Sequence, residues 1–553
     1  MTFENFIPPR AKSVLELTGE VSADFETTEE KFLQIQPACK YTVEKFLPKT
    51  KKKFDAILFQ SALIGNMENF ELVNLIKTAA NFLTPQGRLI FTLENVGFAE
   101  NLMAILEGKP LKCKVTLTKV ELEGAIKSSG LNEFNLLNAG RRVPVARGIV
   151  EAAKIDVAVF AYIISATPKD LPEKTSIQIS IGESLVCGAK RVFDPLNFIA
   201  TEPNLSVFFH DSRQTYRIFH EEQFPTRIFI NQRISFPTFT EGRIFFEKLS
   251  RANYLYVEEI DDNPIIWRES YEKNGFINFI GVHAIQTSTE YLAERLRKFN
   301  PQVKVFANQL RKILPLRNFK EESEKNEPVQ IFFGAVNRDR DFLDILPILN
   351  KFAQDYGDKI NFKIIANKEL FEALETKNKV LIGDPKFYNG QFVALDKYEQ
   401  TLQESDIALL PLLDNEFNRS KSDLKFIECA GNGAAVLASS TVYPQTVKDG
   451  ENGFIFKDHD EFAEKLKVLI DNKEKRYELA TAAYNYVLHN RLLSQHYEER
   501  LDWYRELLAK LPELNAAAQA RIDKVAPKFK DEKPPQVEGK KDPNAEIVIP
   551  DMR

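Results

Sequence analysis

Cysteine is scarce in this chain: four residues in 553, at Cys39, Cys113, Cys187 and Cys429, with neither CxxC nor Cys/His spacing. That pattern excludes a disulfide framework or a zinc site of the usual spacing, and it fits a reducing cytosol. Histidine is limited to six residues, which argues against a histidine-rich metal centre. Long apolar runs are missing as well. The longest, such as 157–166, are strand-sized and too short to span a bilayer. The opening residues MTFENFIPPRAK contain no apolar signal region, so the expected location is cytoplasmic, with contact at the inner face of a membrane left open. Basic excess is absent too: 74 Lys and Arg against 79 Asp and Glu give a net charge of −5, no field for nucleic acid.

What is present is an ordinary globular balance, 44% apolar and 28% charged, in a chain too long for one core. Three or four units are expected. In the first, KSVLEL (12–17) and FDAILF (54–59) are short apolar strands. A helix over 71–83, a Pro85–Gly87 turn and a strand over 88–93 follow. Strands alternating with helices predict a parallel α/β sheet. VLEL, FDAIL and LIKTAANFLTPQGRLIFTLEN, with 118–129 and 156–166 as last helix and closing strand, resemble class I S-adenosylmethionine-dependent methyltransferases. The resemblance departs at the cofactor turn, TGEVSADF, whose single glycine is Gly19. Only about 40 residues separate Val14 from Asp55, little more than one strand-helix unit of about 30. It implies a degenerate domain over 1–167, a scaffold or docking fold for which S-adenosylmethionine is not expected. Glu16 and Gly19 are the positions to test if it is active.

From Pro168 a new α/β pattern runs through LSVFFHDS, TRIFINQR, YLYVEEIDDNP and INFIGVHAIQTSTEYLAERL. Polar residues at strand ends line the cleft of a doubly wound sheet. The candidates are His210, Asp211, Arg233, Asp261, Asp262 and His283. Asp261–Asp262 before Asn263–Pro264 reads either as a metal pair or as an acidic turn, and the turn is favoured because no third ligand has a helpful spacing. A lone histidine beside an apolar strand is more often structural than catalytic. A helix is expected over 288–296, capped by Thr287 or Ser288.

Beyond a charged hinge at 320–327, VQIFFGAV opens another strand, loop and helix unit. It ends in NRSKSDLKFIECAGNGAAVLASS (418–440) and YPQTVKDGENGFIF (443–456). Taken by itself, the 418–440 stretch reads as helix, Gly-Asn-Gly stop and buried strand. In this order, residues 180–510 resemble GT-B glycosyltransferases of the family 4 type. The resemblance implies an α/β fold of three Rossmann-like units: 1–167, an acceptor-side domain over 168–317 and a donor domain over 318–510 with crossing helices. Leu501, Trp503, Tyr504 and Leu507 are expected on the buried face of the last crossing helix. A helical, disordered tail is expected over 511–553.

The resemblance also implies a nucleotide-sugar donor and a polysaccharide, glycolipid or protein acceptor, with retention and no metal. Glu428 matches the carboxylate that holds the ribose hydroxyls. Arg338 and Lys425 would neutralise the leaving diphosphate, and Arg340, Ser420, Gly431, Asn432 and Gly433 would complete the donor site. His210, Asp211 and His283 lie on the acceptor side. The family's first glutamate of E(x7)E falls on Ser420 here. Two alternatives stand beside this reading: a bifunctional methyltransferase and glycosyltransferase, and a non-catalytic assembly or binding protein.

Overall fold

The computed structural model describes residues 13–17, 53–59, 64, 67–94, 115, 117, 119–142, 159–168, 173–182, 186–200, 202–211, 224–264, 268–319, 327–334, 338–383 and 393–530. Gly19 and the TGEVSADF turn lie outside these. The chain divides into two compact units, one of Met1–Ile177, Leu196–Phe208 and Phe219–Arg227, the other of Gln178–Pro195, Phe209–Ile218 and Ile228–Arg553. The fold is α/β, built on three sheets.

The first sheet holds β1 (Val14–Leu17), β2 (Phe54–Phe59), β3 (Leu83–Glu94), β4 (Asn132–Arg142) and β5 (Val159–Thr167), in the order β1-β2-β3-β5-β4. β1, β2 and β3 are parallel, and β5 is antiparallel to both its neighbours. Helix α1 (Asn69–Ala80) buries Leu72, Leu75, Ile76 and Ala79, one stripe at helical spacing, and α2 (Lys119–Ser128) precedes β4. Pro85–Gly87 is not a turn before a strand. It is an irregularity inside β3, where the pairing steps from Phe54↔Leu83 to Ala56↔Arg88. A Cβ on Gly87 would lie 2.7 Å from the Phe54 carbonyl oxygen, so only glycine fits there.

The second sheet runs β11-β10-β9-β8-β6-β7, from β6 (Thr175–Ile181), β7 (Leu205–Asp211), β8 (Thr226–Gln232), β9 (Tyr254–Glu259), β10 (Ala284–Thr287) and β11 (Val303–Val305). Helix α3 (Phe239–Arg251) starts at a Thr238 cap and buries Phe239, Phe245, Phe246 and Leu249 against β8 and β9 aromatics. Helix α4 (Glu290–Leu296) is capped by Thr289, whose hydroxyl accepts the Leu292 N–H. The expected caps lie upstream of it, because pairing with β11 takes Thr287 into β10.

The third sheet runs β14-β13-β12-β15-β16-β17, with its neighbouring strands parallel. Its strands are β12 (Val329–Gly334), β13 (Ile360–Ile365), β14 (Lys379–Ile382), β15 (Ile407–Leu410), β16 (Ala435–Ser439) and β17 (Phe454–Phe456). Alternate residues feed two cores: Ile331, Ile407, Leu409 and Leu437 on one face, and Phe332, Ala408, Leu410 and Val436 on the other. Burial on both faces is what makes these strands continuous apolar runs.

The helices are α5 (Asp339–Leu343), α6 (Leu346–Tyr356), α7 (Leu395–Gln403), α8 (Glu416–Arg419), α9 (Leu424–Gly431), α10 (His459–Asp471) and α11 (Lys473–Asn490). Helix α12 (Leu493–Leu508) buries Leu501, Trp503, Tyr504 and Leu507, and the Tyr504 hydroxyl donates to Gln286 of β10 at 2.7 Å. The helix expected after Pro512 is present: α13 (Leu511–Val525) packs Ala518 and Ile522 into the core of the second sheet, and Phe529, in the stretch expected to be disordered, stacks on Phe239. Residues 531–553 lie outside the described residues. Among the described residues no helix is long and apolar enough to cross a membrane.

Candidate functional site

In the third sheet, chain order runs outward from the centre in both directions, β12-β13-β14 one way and β15-β16-β17 the other. The reversal lies between β12 and β15, and at such a point the two following loops part to leave a crevice at the carboxyl ends of the strands. Arg338 follows β12 and Asn418 follows β15, one from each side of that crevice. Arg338 Nη1 donates to Asn418 Oδ1 and lies 3.5 Å from the Asp341 carboxylate. Asp341, 5% exposed, also accepts from Asn418 Nδ2 at 2.7 Å and from the Leu413 N–H at 2.9 Å. The arginine is therefore aimed by a buried acid and amide. Tyr443, buried just after β16, has its hydroxyl pushed up by burial, and the Arg338 and Lys425 charges oppose that rise.

Lys425, Glu428 and Tyr398 form a closed triangle. Lys425 Nζ donates to Glu428 Oε2 at 2.9 Å and to the Tyr398 hydroxyl at 2.8 Å, and that hydroxyl donates to the same Oε2 at 3.0 Å. The three-residue spacing on α9 brings the ammonium and the carboxylate onto one face. Burial by itself would raise the Glu428 carboxyl. The Lys425 ammonium, the Lys190 charge and the hydrogen bonds from Lys425 and Tyr398 outweigh it and hold Glu428 below the usual carboxylate range. Burial and the adjacent carboxylate push the Tyr398 hydroxyl far up, so it stays a donor. Among the described residues, the hydrogen bonds from Tyr398 and Lys425 to the Glu428 side chain both fall on Oε2.

The glycine turn behaves differently from expectation. The Asn432, Gly433 and Ala434 N–H groups donate to Cys429, Ala430 and Cys429 carbonyls, closing the end of α9. Gly433 has φ +82°, and a Cβ on Gly431 would lie 2.7 Å from Leu310 Cδ1. Asn432 Nδ2 donates to the Glu428 carbonyl. Gly431, Asn432 and Gly433 are thus a left-handed helix stop and a close-packing site, with their amides already spent. Ser420 is 1% exposed, with its hydroxyl between the Glu416 carbonyl (2.8 Å) and Asn263 Nδ2 (3.1 Å). Arg340 is exposed on α5, away from the Arg338 network.

The second sheet reverses between β6 and β8, whose ends lie side by side: the Gly182 N–H donates to the Gln232 carbonyl at 2.8 Å. Arg233, at φ 57°, follows β8 and pairs with Asp261 and Asp262, both at 2.7 Å. Asp262 also accepts from Lys421 at 2.7 Å. Cys187 lies beside this group, its thiol pushed up to about 12 by burial and the Asp261 carboxylate. After Cys187 the helix widens into a π-turn over Ala189–Phe193 that carries Lys190.

His283 is not a cleft residue. It is fully buried, its Nδ1 accepts the Tyr256 N–H at 2.8 Å, and its Nε2 pairs with Asn515 Oδ1 of α13 at 2.9 Å. Both ring nitrogens are thereby used in packing. His210 and Asp211 end the edge strand β7, separated from β9 by β6 and β8. Arg338 follows β12 beside the strand reversal, and Lys425 and Glu428 pair on α9. Tyr398, Asn418, Asp341 and Tyr443 were not legible, since nothing in a single sequence links positions up to about a hundred residues apart. Among the described residues no group of three or more His, Cys, Asp or Glu is arranged as a metal site.

Residues 355–506, which include Tyr398, Asn418, Lys425, Glu428 and Tyr443, match a family model described as glycosyl transferase-like. No curated protein matches the chain. Among solved structures, Anabaena HepE in complex with UDP and glucose is similar at 12% identity and TM-score 0.42, over 60% of this chain and 100% of that one. An S. aureus TarM mutant in complex with Fondaparinux, alpha-GlcNAc-glycerol and UDP is similar at 14% identity and TM-score 0.35. That match covers 51% of this chain and 55% of the TarM chain. WaaG, a glycosyltransferase involved in lipopolysaccharide biosynthesis, is similar at 11% identity and TM-score 0.39, over 59% of this chain and 98% of its own.

Proposed function

We propose that the chain is a GT-B glycosyltransferase of the family 4 type that moves a sugar from a nucleotide-sugar donor to a polysaccharide, glycolipid or protein acceptor, with retention and without a metal. The observation that carries this reading is Glu428: a carboxylate kept ionised, with one oxygen held by Lys425 and Tyr398, in the unit whose switch point carries Arg338. The match of residues 355–506 to a glycosyl transferase-like family supports it. The Glu428 carboxylate can accept a ribose hydroxyl, and Arg338 and Lys425 can take the charge that develops on a departing diphosphate.

In this reading 168–317 and 318–510 are the acceptor-side and donor domains. Domain 1–167 is a methyltransferase-like fold that has lost its cofactor, and the antiparallel closing strand β5 supports that descent. The test is turnover. Purified protein is incubated with UDP-, GDP- and dTDP-sugars, and release of the nucleoside diphosphate is measured with and without glycan acceptors. One donor should be consumed, and a Lys425→Met variant should consume it at least tenfold more slowly. Nucleotide binding without consumption of any donor would favour a binding protein.

A further inference from the structure

Four contacts from residues around the second sheet converge on one short segment after β15. Arg295 of α4 lies 3.5 Å from Glu416. Asn263 Nδ2 donates to Ser420 Oγ at 3.1 Å. Asp262 accepts from Lys421 at 2.7 Å, and Asn308 Nδ2 donates to Ser422 Oγ at 2.8 Å. The segment between these anchors carries two groups that contact Arg338. One is Asn418, which receives its guanidinium. The other is Phe417, whose ring lies 5.5 Å from the Arg338 guanidinium and 4.1 Å from Lys421 Nζ. The Phe417 ring thus links two cations, and Lys421 is fixed from its far side by Asp262.

Asp262 is itself placed by Arg233, whose other carboxylate partner is Asp261. A continuous chain of charge and ring contacts therefore leads from the end of β8 to Arg338. Every link is a contact at 5.5 Å or less, and the pair in the middle is only about a fifth exposed, so solvent screening leaves it effective.

We infer that the Asp262–Lys421 pair is a positioning device that couples the second-sheet crevice to the phosphate-binding cation of the donor site. When Lys421 is held by Asp262, Phe417 and Asn418 are fixed and Arg338 points where a diphosphate would lie. When the pair is broken, the segment loses its central anchor and Arg338 is free to turn toward Asp341 alone. Neither Asp262 nor Lys421 is asked to touch the donor. The inference rests on the donor-site reading above, and it concerns diphosphate recognition specifically.

The test uses the full chain in five forms: wild type, Lys421→Met, Lys421→Arg, Asp262→Asn, and the Asp262→Asn/Lys421→Met double variant. Affinities for UDP, GDP, dTDP and their nucleosides are measured by calorimetry, and amide exchange is followed over residues 413–428. Lys421→Met should weaken the preferred nucleoside diphosphate about tenfold and leave its nucleoside unchanged, with faster exchange across the segment. Lys421→Arg should restore both. The double variant should be no worse than either single one, as required when both substitutions break one link. If the wild type binds a diphosphate and the variants bind it equally well, the coupling is refuted and the donor site stands. Equal losses for diphosphate and nucleoside also overturn it, since they would mean general loosening. If the wild type binds no nucleotide, the donor reading fails, and unchanged exchange in Lys421→Met would then remove the anchor as well.

Discussion

Replacing His283 with glutamine should flatten the acid limb of the stability profile. In the wild type, burial pulls the imidazole down from its ordinary 6.5 to about 4, against the hydrogen bond to Asn515 that favours the proton. Between those two pH values the unfolded chain binds a proton there and the folded chain does not. Stability from this group is therefore complete above about pH 6.5 and is lost as pH falls toward 4. At about 1.4 kcal/mol per tenfold difference in proton affinity, the full loss is ~3 kcal/mol. Glutamine can accept the Tyr256 N–H and donate to Asn515 without titrating, so His283→Gln should keep its neutral-pH stability within about 1 kcal/mol and lose this slope. The assay is urea unfolding followed by tryptophan fluorescence at half-unit steps from pH 4 to 7.5. Parallel profiles for the two proteins, or an imidazole that titrates near 6.5 by NMR, would refute the buried, doubly bonded placement. A catalytic His283 would instead abolish turnover on substitution while leaving the stability slope in place.

Gly433→Ala should cost about 1–2 kcal/mol, because its φ of +82° is unfavourable to any Cβ, and nucleotide affinity of the folded protein should be unchanged. A large loss of affinity at constant stability would return the turn to the donor site. Arg338→Ala should weaken nucleoside diphosphate binding about 10- to 100-fold, the range for a lost charge-assisted hydrogen bond, with a smaller effect on the monophosphate. Equal effects on both would remove Arg338 from the diphosphate.

Much of the architecture was legible because its signals are local. FDAILF is a short apolar run bounded by polar residues, and it became β2 at the expected position. The pair Lys425–Glu428 followed from helical spacing alone. The helix expected after VQIFFGAV breaks in two near Asp344 because Pro347, in the first turn of α6, cannot continue a helix from the preceding turn. The final helix was expected after Pro512; what the sequence did not show is that Ala518 and Ile522, from a stripe with Leu514 at four-residue spacing, face a core that only the fold supplies. The Gly-Asn-Gly turn is ambiguous for a different reason. A glycine that frees an amide for phosphate and one that ends a helix are the same letter, and only the partners of the N–H groups tell them apart. The triangle's third member, Tyr398, comes from α7, 27 residues before Lys425, where no spacing rule reaches.

The central claim is that Glu428 holds a nucleotide, and calorimetry with UDP, GDP, dTDP and S-adenosylmethionine on wild type and Glu428→Ala tests it most directly. One nucleoside diphosphate should bind the wild type and bind the variant at least tenfold more weakly, while S-adenosylmethionine binds neither. Equal binding of that diphosphate to both proteins, or binding of none to the wild type, would contradict the account.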